Sequence, residues 1–147
     1  MHAREQIRAA VATIVTGLAT TGSRVYRSRV YPIATAELPG LCVYTLNEAS
    51  QPEIMRTPRR LVRELSIVVE AYARAADDVD GTLDDIAAQV EAAIGTDATL
   101  GGKVRRVHIS QTEVMMTGDG DQPIAIARLT FTAEYATFEN APETLAN

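Results

Sequence analysis

Residues 124–138 carry a period of two that only a sheet accommodates. Ala125, Ala127, Leu129, Phe131, Ala133 and Tyr135 alternate with Arg128, Thr130, Thr132 and Glu134. Successive side chains of a strand point to opposite faces, so this stretch has one dry face and one half-wet face. A long strand needs partners with the same patterning. Residues 61–74 supply one: Leu61, Leu65, Ile67, Val69, Ala71 and Ala73 share a parity, with Arg63 the exception. The opposite parity mixes Glu64, Ser66, Glu70 and Arg74 with Val62, Val68 and Tyr72. Residues 103–116 supply another. They meet 124–138 across Thr117-Gly118-Asp119-Gly120-Asp121-Gln122-Pro123, a link dense in turn formers, so the two strands form a hairpin.

Two segments switch to a helical period. In residues 4–20, Ile7, Val11, Ile14 and Leu18 form one stripe, and Thr20-Thr21-Gly22-Ser23 ends it. In residues 82–94, Leu83, Ile86, Ala87, Val90 and Ile94 form the stripe. Thr82 is the expected N-cap, with Asp85 three residues on as a weak capping box. Asp84 and Asp85 fall in the first turn and Gly95 is the expected stop.

The rest is shorter. Residues 24–33 are β-prone but broken by Pro32, which restricts them to an edge strand or two pieces. Pro39-Gly40 marks a turn, and Leu41-Cys42-Val43-Tyr44-Thr45-Leu46 reads as a short strand. Residues 47–60 have no apolar period, two prolines and a basic end, so they are expected to be a long flexible loop. Residues 139–147 are expected to fray. The whole chain, residues 1–147, is expected to be one α+β domain of order α-β-β-β-α-β-β. Its sheet of about five strands is mainly antiparallel, with two helices on one face.

Composition excludes several function classes. The net charge of −5 argues against a dedicated duplex-DNA binder. Its distribution is uneven: residues 1–63 hold nine Arg and four Glu, whereas residues 64–147 hold five Lys or Arg and fifteen Asp or Glu. Opposite-sign halves suit head-to-tail assembly, in which a basic face of one copy meets an acidic face of the next. No apolar h-region or run of about 18 apolar residues is present, so no membrane is expected and a cytoplasmic site of synthesis is. The single cysteine, Cys42, lies in an apolar run and reads as a small hydrophobe.

Chemistry-bearing motifs are sparse. His108 lies within a predicted strand with no second ligand nearby in sequence. No nucleophile elbow, P-loop or zinc spacing occurs. Gly118-Asp119-Gly120-Asp121 lacks EF-hand spacing, since the twelfth position from Asp119 is Thr130. Acids at 77, 78, 80, 84 and 85 suit a solvated helix start better than a Mg²⁺ cage. Arginines in 24–29, 56–63 and 103–106 suit solvent or protein contact better than stacking on nucleic acid. The chain is therefore expected not to be an enzyme and to hold no cofactor or metal.

One run of segments resembles a known family. Glu64 to Arg74 (ELSIVVEAYAR) leads into Asp77-Asp78-Val79-Asp80 and the Thr82–Ile94 helix. Leu100-Gly101-Gly102-Lys103-Val104 and the hairpin ending Ala127-Arg128-Leu129-Thr130-Phe131 follow. This arrangement, over residues 4–138, is similar to the tail terminators of long-tailed bacteriophages, of the lambda U type. It is also similar to related proteins of prophages and gene transfer agents.

The resemblance implies a non-enzymatic structural protein of the virion, at the head-proximal end of the tail, assembled in the host cytoplasm. It implies a hexameric ring that caps the tail tube, stops its polymerisation and offers the head-tail joining surface. Implied partners are further copies of the chain, the tail tube protein, a neck or head-completion protein and the tape measure protein, with DNA only in transit. No residue carries over as a catalyst. Candidate assembly contacts are Met55, Arg56, Arg59 and Arg60 in the basic segment, and Asp77, Asp78 and Asp80 in the acidic one. Surplus acid is expected to line the channel, where it would repel phosphate. The competing readings are another neck component, a small nucleic-acid-binding module and a metal-using α+β enzyme.

Overall fold

The fold was determined as a computed structural model that describes residues 1–27, 38–76, 78–117 and 123–147. Helix α1 (Ala3–Ile14) is followed by β1 (Val25–Tyr26), β2 (Gly40–Ile54) and β3 (Arg60–Arg74). Helix α2 (Val79–Thr96), β4 (Arg106–Thr117), β5 (Ile124–Phe138) and β6 (Ala141–Leu145) complete the chain. The strands form one sheet in the order β1-β2-β3-β5-β4, with β6 pairing on β5. All pairings are antiparallel except β1 with β2, so this is an α+β domain with a mixed sheet of six strands.

Strands β3 and β5 are the spine. They pair without a break from Arg60↔Phe138 to Arg74↔Ile124. On one face, Leu65, Ile67, Val69, Leu129, Phe131 and Tyr135 pack under Ile7 and Val11 of α1 and Leu83, Ile86, Val90 and Ile94 of α2. Leu129 is fully buried, and its truncation to Ala is expected to cost about 2–5 kcal/mol. The other face is dry only at one end, where Cys42, Tyr72, Ile124 and Ile126 cluster. Central β3 is therefore buried on both sides from Ile67 to Ala73, not on alternate residues.

Several boundaries differ from the sequence reading. The first helix ends at Ile14, not at residue 20. Thr13 and Thr16 turn their hydroxyls back to the carbonyls of Ala9 and Ala12, and Gly17 takes a left-handed φ of +89°. The second helix starts three residues before Thr82, because Asp78 adopts a left-handed φ of +58° and acts as N-cap by backbone geometry alone. Asp80, rather than Asp84 or Asp85, then occupies the first turn. Gly95 lies inside the last turn. The stop is made by Asp97, whose carboxylate accepts from Thr99 N, Thr99 Oγ1 and Gly101 N.

The expected loop at 47–60 is mostly strand. Residues 47–54 continue β2 alongside β3, and only 55–59 turn the chain. A bulge between Thr45 and Glu48 absorbs Leu46 and Asn47, which hides the alternation from a period-of-two reading. Pro52 is tolerated because β2 is an edge: among the described residues no strand flanks it beyond Cys42. The expected frayed end at 139–147 is instead strand β6, which takes up the edge of β5 beyond the point where β4 begins. The piece expected at 24–33 is described only to Arg27, where β1 forms, and the turn at 118–122 lies outside the described residues.

Candidate functional site

Two surfaces of opposite charge stand apart on this fold. The first is the end of the sheet where the β2–β3 hairpin turns. Arg56, Arg59, Arg60, Arg105 and Arg106 gather there with Glu53, Glu134 and Glu139. Glu53 accepts two hydrogen bonds from Arg105, Nη1 to Oε1 and Nη2 to Oε2, each 3.1 Å. Its other neighbour is Arg60 Nε at 3.5 Å, and Arg60 also donates to the Ala146 carbonyl. The Arg105 guanidinium holds the Glu53 carboxyl below the usual carboxylate range. Arg59 forms a closed ring of bonds with Glu139: its amide donates to Oε1 at 2.9 Å and its Nε to Oε2 at 3.0 Å. The Glu139 amide returns to the Arg59 carbonyl at 2.9 Å.

Of the sequence candidates here, Arg59 and Arg60 are thus committed within the chain and stiffen the hairpin. Met55 and Arg56 remain on the surface. Met55 is 74 % exposed, the highest of the large apolar side chains, and Ile54 beside it is exposed as well. Among the described residues Arg56 has no ion-pair partner.

The second surface is the solvent side of α2. Asp80, Asp84, Asp85 and Glu91 are exposed along it, and the helix contains no Lys or Arg. Asp78 caps it and Asp97 closes it, both exposed. Hydrogen bonds from Thr99 and Gly101 lower the Asp97 carboxyl. Asp77 lies outside the described residues. Asp78 and Asp80 therefore belong to this stripe, while Met55 and Arg56 belong to the hairpin end.

Two buried polar clusters anchor the scaffold between them. Glu48, at the β2 bulge, accepts from Arg4 Nη1 at 2.9 Å, from Arg63 Nη1 at 3.3 Å and from the Tyr135 hydroxyl. Burial and the Glu48 carboxylate push the Tyr135 phenol up. On the opposite face, buried Glu70 accepts from the Tyr44 hydroxyl and from the Tyr72 hydroxyl at 2.9 Å, with Arg128 Nε at 3.7 Å. Cys42 lies beside it, fully buried, its thiol pushed up to about 12 by desolvation and Glu70. The sequence reading missed both clusters. Only a glutamate inside an otherwise apolar run, as in Val69-Glu70-Ala71, signals such a partner.

Among the described residues no group of three or more His, Cys, Asp or Glu is placed to hold a metal ion, and no helix is long and apolar enough to cross a membrane. His108 is exposed on β4. No family model and no curated protein matches this sequence.

Proposed function

We propose that this chain is a non-enzymatic ring subunit that caps a phage tail tube, ends its polymerisation and offers the surface to which the head joins. The observation that carries the reading is the separation of charge: an arginine-rich hairpin end and an acidic α2 on one small domain. Two different, complementary surfaces on one molecule make heterologous contacts, and these close into rings when the rotation permits. The α+β fold agrees with the resemblance of residues 4–138 to tail terminators.

In this reading copies of the chain form a hexamer and α2 borders the channel. Its acids keep DNA in transit from adhering, since like charge repels phosphate. The bare sheet face is less suited to that task, because Glu70 and Glu134 there are paired with Arg128 and Arg106. The partners are the tail tube protein below, the tape measure protein within and a neck protein above.

Gold-labelled antibody against the chain is expected at the head-proximal end of isolated tails. Label along the whole tail, or only on heads, would contradict the reading.

A further inference from the structure

A largely apolar groove of about 550 Å³ opens between α1 and the turn that follows α2. Its walls include Met1, Ala9, Ala10, Ile14 and Leu100, with Asp97 and Lys103 at the rim. The alanines matter, because side chains that short leave the groove open along one side of α1. Nothing in the scaffold role described above uses this groove.

At the sheet end where the β2–β3 hairpin turns, Met55 and Ile54 form a knob flanked by Glu53 and Arg56. The knob is held out rigidly, because Glu53 and Arg59 are tied to Arg105 and Glu139. An exposed thioether is flexible and polarisable enough to fill an irregular apolar slot.

We infer that the hairpin knob of one copy seats in the α1 groove of a second copy, with Met55 as the inserted side chain. Charge fixes the sense of the contact. The C-terminus of α2 lies at the rim, and its last turn holds no basic residue. The negative end of the helix dipole and the Asp97 carboxylate together favour a cation there. Arg56 is such a cation and has no ion-pair partner of its own among the described residues. Seating the knob in reverse would set Arg56 against Lys103 instead of Asp97, which selects one register.

Knob and groove lie on different parts of the same chain, so each copy gives one contact and receives another. The contact deepens the ring reading by naming its interface, and rests on that reading for ring closure alone.

The test is oxidative cross-linking of a Met55→Cys/Ala10→Cys variant at micromolar concentration. Cys42 is fully buried and stays silent. The double variant is expected to give a ladder of linked species beyond the dimer, while either single variant, with no cysteine opposite its own across the contact, stays monomeric. A double variant that yields monomers, or dimers only, overturns the inference.

A second variant guards against misfolding. Met55→Asp changes an exposed side chain, so its thermal melt is expected to match the parent. Its self-association is expected to weaken about tenfold or more, as for loss of an interface anchor. Equal self-association of Met55→Asp and the parent overturns the contact. Rings that form through another surface would then leave the tail-cap reading standing, whereas an intact ladder from a chain absent from tails would do the reverse.

Discussion

Glu53 and Arg105 join the β2–β3 hairpin to the segment entering β4 through a two-pronged carboxylate–guanidinium bond, both prongs 3.1 Å. The residues are 52 positions apart, and the bond closes over a hairpin that sequence alone leaves loose. It orients the Met55 knob without burying it. Exposed pairs of this kind contribute little to global stability, since solvent and salt screen them. Arg105→Ala is therefore expected to melt with the parent yet expose the amides of residues 53–56 to faster hydrogen exchange. Unchanged exchange in that segment would show that the hairpin is held by its strand pairing alone.

Glu64 and Glu134 are direct cross-strand partners on β3 and β5. Like charges placed so are destabilising, and Arg106 at 2.7 Å relieves Glu134 only in part. Glu64→Gln is expected to stabilise the fold by about 0.5 kcal/mol. Urea denaturation checks it, and a loss of stability would mean that the carboxylate has a favourable partner on the sheet face.

The Glu70 cluster is expected to be the costliest polar site to break. Glu70→Ala strips the acceptor from two buried phenols and leaves Arg128 without its counter-charge, a loss of about 2–4 kcal/mol. Glu70→Gln keeps an acceptor and is expected to lose less than half of that. Equal losses in the two variants would assign the effect to packing rather than to the hydrogen bonds.

His2 caps α1 by accepting from the Arg4 amide on Nδ1 at 3.1 Å, which requires the neutral ring. Burial, and secondarily the Arg4 charge, lower its pKa from 6.5. The folded state thus disfavours the proton, so the cap's stabilisation is present above pH 6.5 and is lost as pH falls through the lowered folded value. An N-cap is worth about 1 kcal/mol. His2→Asn keeps the acceptor but not the titration, so its stability is expected to fall less than the parent's between neutral and mildly acidic pH. Parallel curves would remove His2 from the pH dependence.

The long strands were legible because β3, β4 and β5 keep their alternation or apolar density over many residues. The helices were legible from their stripes, although Gly17 and Asp78 moved the ends by taking positive φ. The hairpin extension of β2 was illegible for a local reason. Leu46 and Asn47 occupy a bulge that shifts the parity, and Pro52 sits on an open edge where its missing donor costs nothing. At the candidate contacts, composition marked the Arg56–Arg60 segment but not how it divides. Only the positions of Glu53 and Glu139 separate Arg59 and Arg60, which are used internally, from Met55 and Arg56, which face outward. The α1 groove had no sequence signal, because Ala9 and Ala10 read as ordinary helix formers.

Tail length in particles lacking this chain tests the central claim most directly. Electron microscopy of such particles is expected to show tubes of irregular, excessive length beside unattached heads. Tails of normal, uniform length joined to heads would contradict the account.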